Sequence, residues 1–337
     1  MITISDLEKI DKSEMYKVYE KWPIIARESY ISDIEKISEK NIDHIVFSGM
    51  GGSGAIGDIF SSILSKKDIH VKVVKGYHLP NTVDKNTLVV STSVSGNTME
   101  TIKVLKEATK KNCKTICFTS GGKIEKFCLK NKVNFRKIEK YHSPRSSFTS
   151  YLYSILNVLQ PLLPLKRIEI IESINIMEKI SKNISSRNLN SNNYALSISD
   201  WLSGIPVIYY PWGLESAAIR FKNSLQENAK THVFAEDILE MTHNGIISWE
   251  KKSNVKPILI RGVNDFMKTK ERFEIVKEFF DINKIEYKEI FSEPGGILTK
   301  LVNLIYLLDY VSIYYSIKIK TNPSPVKSIE FIKSRLK

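Results

Sequence analysis

Leu88-Val89-Val90-Ser91-Thr92-Ser93-Val94-Ser95-Gly96-Asn97-Thr98-Met99-Glu100-Thr101-Ile102 decides the fold of this chain. The β-branched run Leu88 to Val90 predicts a buried strand. The hydroxyls around Gly96 predict a tight polar turn, and Ile102, Leu105 and Ala108 recur on one face of a following helix. Strand, small polar turn and helix start together point backbone N–H groups and hydroxyls at one spot. The positive end of the helix dipole makes that spot suit a phosphate. No Walker lysine follows Gly96, so a nucleoside triphosphate is not the expected guest. The other reading of the same residues is a Ser/Thr-rich helix cap without a ligand.

Outward from this turn, apolar runs alternate with helical stretches: His44 to Phe47, Val71 to Val74, Leu88 to Val90, Thr115 to Phe118 and Val133 to Ile138. That rhythm predicts a parallel, doubly wound α/β sheet, with ligands beyond the carboxyl ends of its strands. Residues 5 to about 40 read as helices. Gln160-Pro161-Leu162-Leu163-Pro164-Leu165 breaks a helical run and reads as a linker, dividing the chain into domains at 1–155 and 156–337. A second αβ series follows: Val207 to Tyr210, a helix from about Glu215, Ile258 to Ile260, a helix near Lys270 to Phe280, and Tyr287 to Phe291. The polar tract Ser185 to Asn193 reads as a mobile surface loop. The two halves share a plan, which hints at duplication.

The length of 337 residues accommodates two medium domains, and a net charge of +13 favours acidic partners. Its lysines are dispersed, often beside Glu or Asp, with no aromatic-interleaved basic stripe or zinc-finger spacing. The excess therefore reads as solvated surface biased towards small anions, without nucleic acid. Cys113, Cys117 and Cys128 lie in or near strand-like runs and read as reduced thiols of a cytoplasmic protein. The N-terminus shows no signal pattern. The apolar stretch Ile297 to Tyr315 contains Lys300, Asn303 and Asp309, so it reads as a buried core helix with no membrane role.

Gly49-Met50-Gly51-Gly52-Ser53 follows the first strand as a second glycine-rich turn. A dinucleotide site would want an acidic residue closing the next strand, and Val73-Val74-Lys75-Gly76-Tyr77-His78 offers none. Read together, the two turns resemble sugar-isomerase (SIS) domains. Phe47 to Gly54, Ser93 to Thr98, Arg220 to Lys230 (RFKNSLQENAK), His243-Asn244 and the tail Asn322 to Lys333 resemble the bifunctional phosphoglucose/phosphomannose isomerases of the archaeal type, over nearly the whole chain. The resemblance implies two SIS-type αβα domains with parallel sheets.

It also implies an aldose–ketose isomerase linking glucose 6-phosphate and mannose 6-phosphate with fructose 6-phosphate through a cis-enediol, in glycolysis and gluconeogenesis. No cofactor and no metal are implied, and no His-Glu-x-x-His helix or paired carboxylate–histidine set is visible. Gly52, Ser53, Ser93, Ser95 and Thr98 match the phosphate anchor, Glu227 the base, and Arg145 the cation at the enediolate. His243 matches the ring-opening histidine contributed across a homodimer interface. Lys333 matches a lysine near the ring oxygen, with Lys327 and Lys337 as neighbouring registers. The pattern departs at Gly245, where the family commonly carries an acidic residue.

Residue patterns alone leave blander readings open: Arg220, Asn223, Glu227 and Lys230 as an exposed stripe, His243 as a surface loop residue, Arg145 as a surface arginine at a helix start. Two other functions share the anchor. A non-catalytic SIS sensor would need neither Glu227 nor His243. An aminotransferase-type SIS enzyme would carry an amide-hydrolysing amino-terminal domain with a leading cysteine, which Met1-Ile2-Thr3 does not match.

Overall fold

The computed structural model describes residues 2–336, so Met1 and Lys337 lie outside it. Two compact units are formed by 21–175 and by 1–20 with 176–337. The chain opens with α1 (Ile4–Ile10) and α2 (Met15–Glu20), which belong to the second of these units. Thr3 and Asp6 start α1 with a reciprocal capping box.

The 21–175 unit runs α3 (Trp22–Ile31), β1 (His44–Ser48), α4 (Gly52–Leu64), β2 (His70–Val74), β3 (Thr87–Ser93), α5 (Met99–Lys110), β4 (Lys114–Thr119), α6 (Gly122–Asn131), β5 (Asn134–Lys137) and α7 (Phe148–Leu159). All strand pairs are parallel, in the order β2-β1-β3-β4-β5. β1 and β3 are buried along their whole length, as expected of strands covered on both faces. α5 and α6 share one apolar cluster with Cys117 of β4, α4 lies against Phe47 and Val73, and the strand order reverses between β1 and β3. Ser48 pairs with Ser91, so the turns after β1 and β3 leave the same sheet edge. Residues 33–43 are irregular, so the expected helical run ends at Ile31.

Gln160 to Leu165 does not act as a linker. A 3-10 turn at Gln160–Leu162 leads into α8 (Arg167–Ile184), and Tyr153 Oη lies 2.7 Å from Ser173 Oγ. That bond ties the first part of α8 to α7. The division between units thus falls within α8, after residue 175, and α1 and α2 group with the carboxy-terminal part.

The other unit continues with α9 (Tyr194–Trp201), β6 (Ile205–Tyr210), α10 (Glu215–Ala229), β7 (Phe234–Asp237), α11 (Ile238–Met241), β8 (Val255–Arg261), α12 (Met267–Ile282), β9 (Lys288–Phe291), α13 (Ile297–Lys318) and α14 (Lys327–Arg335). Its sheet is also parallel, in the order β7-β6-β8-β9, the same initial order as the first sheet. The apolar stretch forms α13, buried almost throughout, with Tyr306 Oη donating to the Tyr19 carbonyl at 3.0 Å. The tract Ser185 to Asn193 is tied at its ends. Asn193 is fully buried, caps α9 through Leu196 N, and donates to the carbonyls of Ile184 and Asn188.

Candidate active site

The turn after β1 is built by glycines at closely approached positions. A Cβ on Gly49 would lie 2.9 Å from the Ser53 carbonyl carbon, and one on Gly54 would lie 2.9 Å from the Gly49 oxygen. Gly49 N donates to Val74 O at 3.2 Å, tying the turn to β2. Gly51 takes φ +54° and gives α4 no side-chain cap. The N–H groups of Met50, Gly51 and Gly52 find no acceptor among the described residues, whereas Ser53 N already bonds Met50 O at 3.1 Å. Gly52 is half-buried and Ser53 is buried in the first turn of the helix. The Lys75 side chain lies over Gly54 and pairs with Asp58 at 2.6 Å.

The turn after β3 does not use its hydroxyls as a helix cap. Thr98 occupies the N-cap position of α5 but makes no cap bond; its hydroxyl lies 3.0 Å from Ser93 Oγ. Ser93 is buried, while Ser95 and Thr98 are half-buried. Ser95 Oγ accepts from Asn97 N at 3.3 Å, and Gly96 N donates to Ser93 O at 3.1 Å. The positive end of α5 is therefore unneutralised by its own cap residue and is rimmed by hydroxyls. The turn is locked from outside: Ile124 N donates to Gly96 O at 2.9 Å and Ser120 Oγ to Val94 O at 2.6 Å. Ser53, Ser93, Ser95 and Thr98 thus stand at the carboxyl edge of β1 and β3, where the strand order reverses.

Arg145 belongs to the same unit, is buried, and sits in a turn that serine hydroxyls hold rigid. Ser146 Oγ and Ser147 Oγ both donate to Tyr141 O, at 3.0 and 2.9 Å, and Ser143 N donates to Ser146 Oγ at 2.9 Å. It is no surface arginine.

In the other unit, Glu227 is half-buried in the last turn of α10. Lys230 ends the helix in the left-handed conformation, and its Nζ donates to the carbonyls of Glu227 (2.7 Å), Asn322 (3.0 Å) and Pro323 (3.1 Å). Glu227 and the carboxy-terminal tail are thereby brought together. The reading of an exposed stripe fails at Arg220. Arg220 is buried and pairs with the fully buried Asp309 at 2.6 Å, because α10 packs that side against α13. Sequence reasoning missed this partner, although a lone aspartate inside an apolar run is its visible signal.

His243 is exposed, in the turn after α11, beside Asn244, whose Nδ2 donates to Glu240 Oε1 at 2.9 Å. A Cβ on Gly245 would lie 2.8 Å from Glu236 Oε2 of β7, so a side chain there would have to displace that carboxylate. Burial, then Glu240 and Asp237, raise the Glu236 pKa. Lys327 and Lys333 both lie on α14, which buries no residue, so burial does not choose between them. Among the described residues no three His, Cys, Asp or Glu side chains are grouped to hold a metal.

The fold and the two hydroxyl-rimmed turns define a class of protein built from SIS domains. Residues 36–160 match the SIS domain family, and residues 191–336 match the bacterial phospho-glucose isomerase C-terminal SIS domain. The C-terminal domain of glucosamine-fructose-6-phosphate aminotransferase from Francisella tularensis superposes with a TM-score of 0.69 at 15% identity, covering 91% of this chain and 96% of that one. A bifunctional phosphoglucose/phosphomannose isomerase of Aquifex aeolicus is 30% identical over 298 residues, 87% of this chain and 90% of that protein. Its namesake in Caldicellulosiruptor bescii is 29% identical, over 89% and 91%. The chain belongs to the bifunctional phosphoglucose/phosphomannose isomerase family.

Proposed function

We propose that this protein interconverts glucose 6-phosphate and fructose 6-phosphate, and mannose 6-phosphate and fructose 6-phosphate. The observation that carries the substrate class is the pair of helix N-termini at the β1–β3 reversal, uncapped by side chains and rimmed by Ser53, Ser93, Ser95 and Thr98. Backbone N–H groups and hydroxyls of both turns hold the dianionic phosphate, with Gly52 giving the close backbone approach.

In the chemical step the Glu227 carboxylate removes the proton from C2 of the open-chain aldose. The C2–H electron pair forms the C1–C2 double bond, and the C1 carbonyl pair moves to O1, which takes up a proton to complete the cis-enediol. Return of the abstracted proton to C1, with loss of the O2 proton as the C2 carbonyl forms, gives the ketose. Glucose and mannose epimers converge on one enediol because C2 is planar in it. The role given to Arg145 is to answer the charge that develops on the oxygens, one that a buried guanidinium fills without reorganisation. His243 shuttles the proton that opens the ring, acting in the site of a second copy, and Lys333 assists at the ring oxygen. This reading makes the protein a cytoplasmic homodimer of central carbohydrate metabolism. The three free, buried cysteines agree with a reducing compartment.

A sensor without catalysis would bind through the same turns and leave Glu227 idle. Conversion of fructose 6-phosphate followed by NMR separates the two readings. Glu227→Gln is expected to retain sugar-phosphate binding and lose turnover, and undiminished turnover in that variant removes Glu227 from the reaction.

A further inference from the structure

Asp309 is the one acidic residue of the 22-residue helix α13 and is fully buried. A buried carboxylate is tolerated only when its lone pairs are satisfied, and here they are. Oδ2 accepts from Arg220 Nη2 at 2.6 Å and Nε at 3.1 Å, and Oδ1 accepts from Ser224 Oγ at 2.6 Å. One turn further along α13, Ser312 Oγ accepts from Asn228 Nδ2 at 2.8 Å and donates to the Asp309 carbonyl at 2.7 Å. The three α10 residues are spaced four apart, so the bonds form a ladder along one side of the helix. Arg220 precedes Glu227 by two turns and Asn228 follows it directly. The ladder therefore brackets Glu227.

Apolar side chains in these places would pack equally well and would tolerate small rotations of α10. Directional bonds to a charged pair admit one rotation only. The rim of a helix lies about 5–6 Å from its axis, so a turn of roughly 10° carries a side-chain tip about 1 Å. A displacement of that size at a reacting group costs on the order of 10²-fold in rate.

We propose that the buried Arg220–Asp309 pair, with Ser224, Asn228 and Ser312, is a positioning device that sets the rotation of α10 and so aims Glu227. These are positioning residues, and the inference rests on the assignment of Glu227 as base. The anchor turns belong to other elements, so the device governs turnover and leaves phosphate affinity alone.

Asp309→Asn and Ser312→Ala are compared with the full-length parent and with Glu227→Gln. The Ser312 change removes the acceptor of Asn228 without exposing a charge, so it reports even where Asp309→Asn fails to fold. Binding-competent sites are counted by calorimetric titration with fructose 6-phosphate, and kcat is expressed per such site. The primary isotope effect is read with glucose 6-phosphate deuterated at C2. The expected result is kcat per site down roughly 10²-fold in Asp309→Asn and severalfold in Ser312→Ala, KM within about threefold, and an isotope effect no smaller than the parent's. A merely structural role would reduce the number of competent sites and leave turnover per site unchanged, which overturns the proposal. A fully active Glu227→Gln would instead overturn the assignment beneath it.

Discussion

A Cβ on Gly96 would lie 1.7 Å from the carbonyl oxygen of Gly121. The turn after β3 and the turn after β4 are in backbone contact at this point, and Gly96 also holds φ +65°. Both conditions select glycine: the left-handed region costs other residues about 1–2 kcal/mol, and the contact leaves no room for a methyl. Gly96→Ala must push the two turns apart, carrying Ser95 and Thr98 with them. The expected outcome is a lowered melting temperature together with loss of sugar-phosphate binding by calorimetry. Gly213→Ala is the matched control, since nothing lies within 4 Å of a Cβ there, and is expected to leave both unchanged.

Thr98 and Ser93 share a 3.0 Å contact instead of capping α5, which leaves both hydroxyls in place to face an anion. Hydrogen bonds to a charged group contribute roughly 1.5–3 kcal/mol each. Thr98→Val and Ser93→Ala are therefore each expected to raise KM by about 10- to 150-fold, with a much smaller effect on kcat. Steady-state kinetics on fructose 6-phosphate measure this directly. A fall confined to kcat would place these hydroxyls at the reacting carbons and away from the phosphate.

Much of this architecture was legible because burial on both faces writes itself as unbroken β-branched runs: Ile45 to Phe47, Leu88 to Val90 and Ile258 to Ile260 are all core strands. The strand Phe234–Asp237 escaped because it is a short edge strand with no buried residue, hence no apolar signature. Arg220 read as a surface residue because its partner Asp309 lies 89 positions away, beyond the reach of any local pattern. The grouping of α1 and α2 with the carboxy-terminal unit has the same cause. It rests on contacts such as Tyr19 against Tyr310, ring centroids 6.3 Å apart, made by residues from opposite ends of the sequence. The two glycine turns were visible since they are local; the polar ladder around Glu227 was not.

His44 begins β1 at the sheet edge opposite the anchor turns. It is buried, with its ring edge-on to His70 at 4.6 Å, Nδ1 3.3 Å from Thr87 Oγ1, and Nε2 without a hydrogen-bond partner among the described residues. Burial, then His70, depress its pKa below the ordinary value of 6.5, against the opposing charges of Asp43 and Asp84. The unfolded chain consequently binds this proton more readily than the folded one. Stability contributed by neutral His44 is complete above the ordinary value and declines as pH falls through it towards the depressed one. Urea midpoints measured from about pH 7.5 down to about pH 5.5 are expected to fall, and to fall less steeply in His44→Phe, which keeps a ring against His70 but cannot be protonated. Equal slopes in the two proteins would assign the acid sensitivity to other groups.

Lys230 combines an unfavourable backbone with a favourable head group, and two substitutions separate these. Its φ of +55° is a glycine conformation, so Lys230→Gly relieves strain of about 1 kcal/mol. Its ammonium meanwhile joins Glu227 O, Asn322 O and Pro323 O, which fastens the end of α10 to the start of the tail. Lys230→Met keeps the strain and loses the ammonium's bonds to the carbonyls; Lys230→Gly loses both. The glycine variant is thus expected to melt above the methionine variant. Both are expected to show faster amide exchange over residues 324–329 and a similar loss of turnover, because the latch is absent from each. Were the glycine variant to regain parental activity along with its stability, backbone strain and not the tail attachment would be what Lys230 controls.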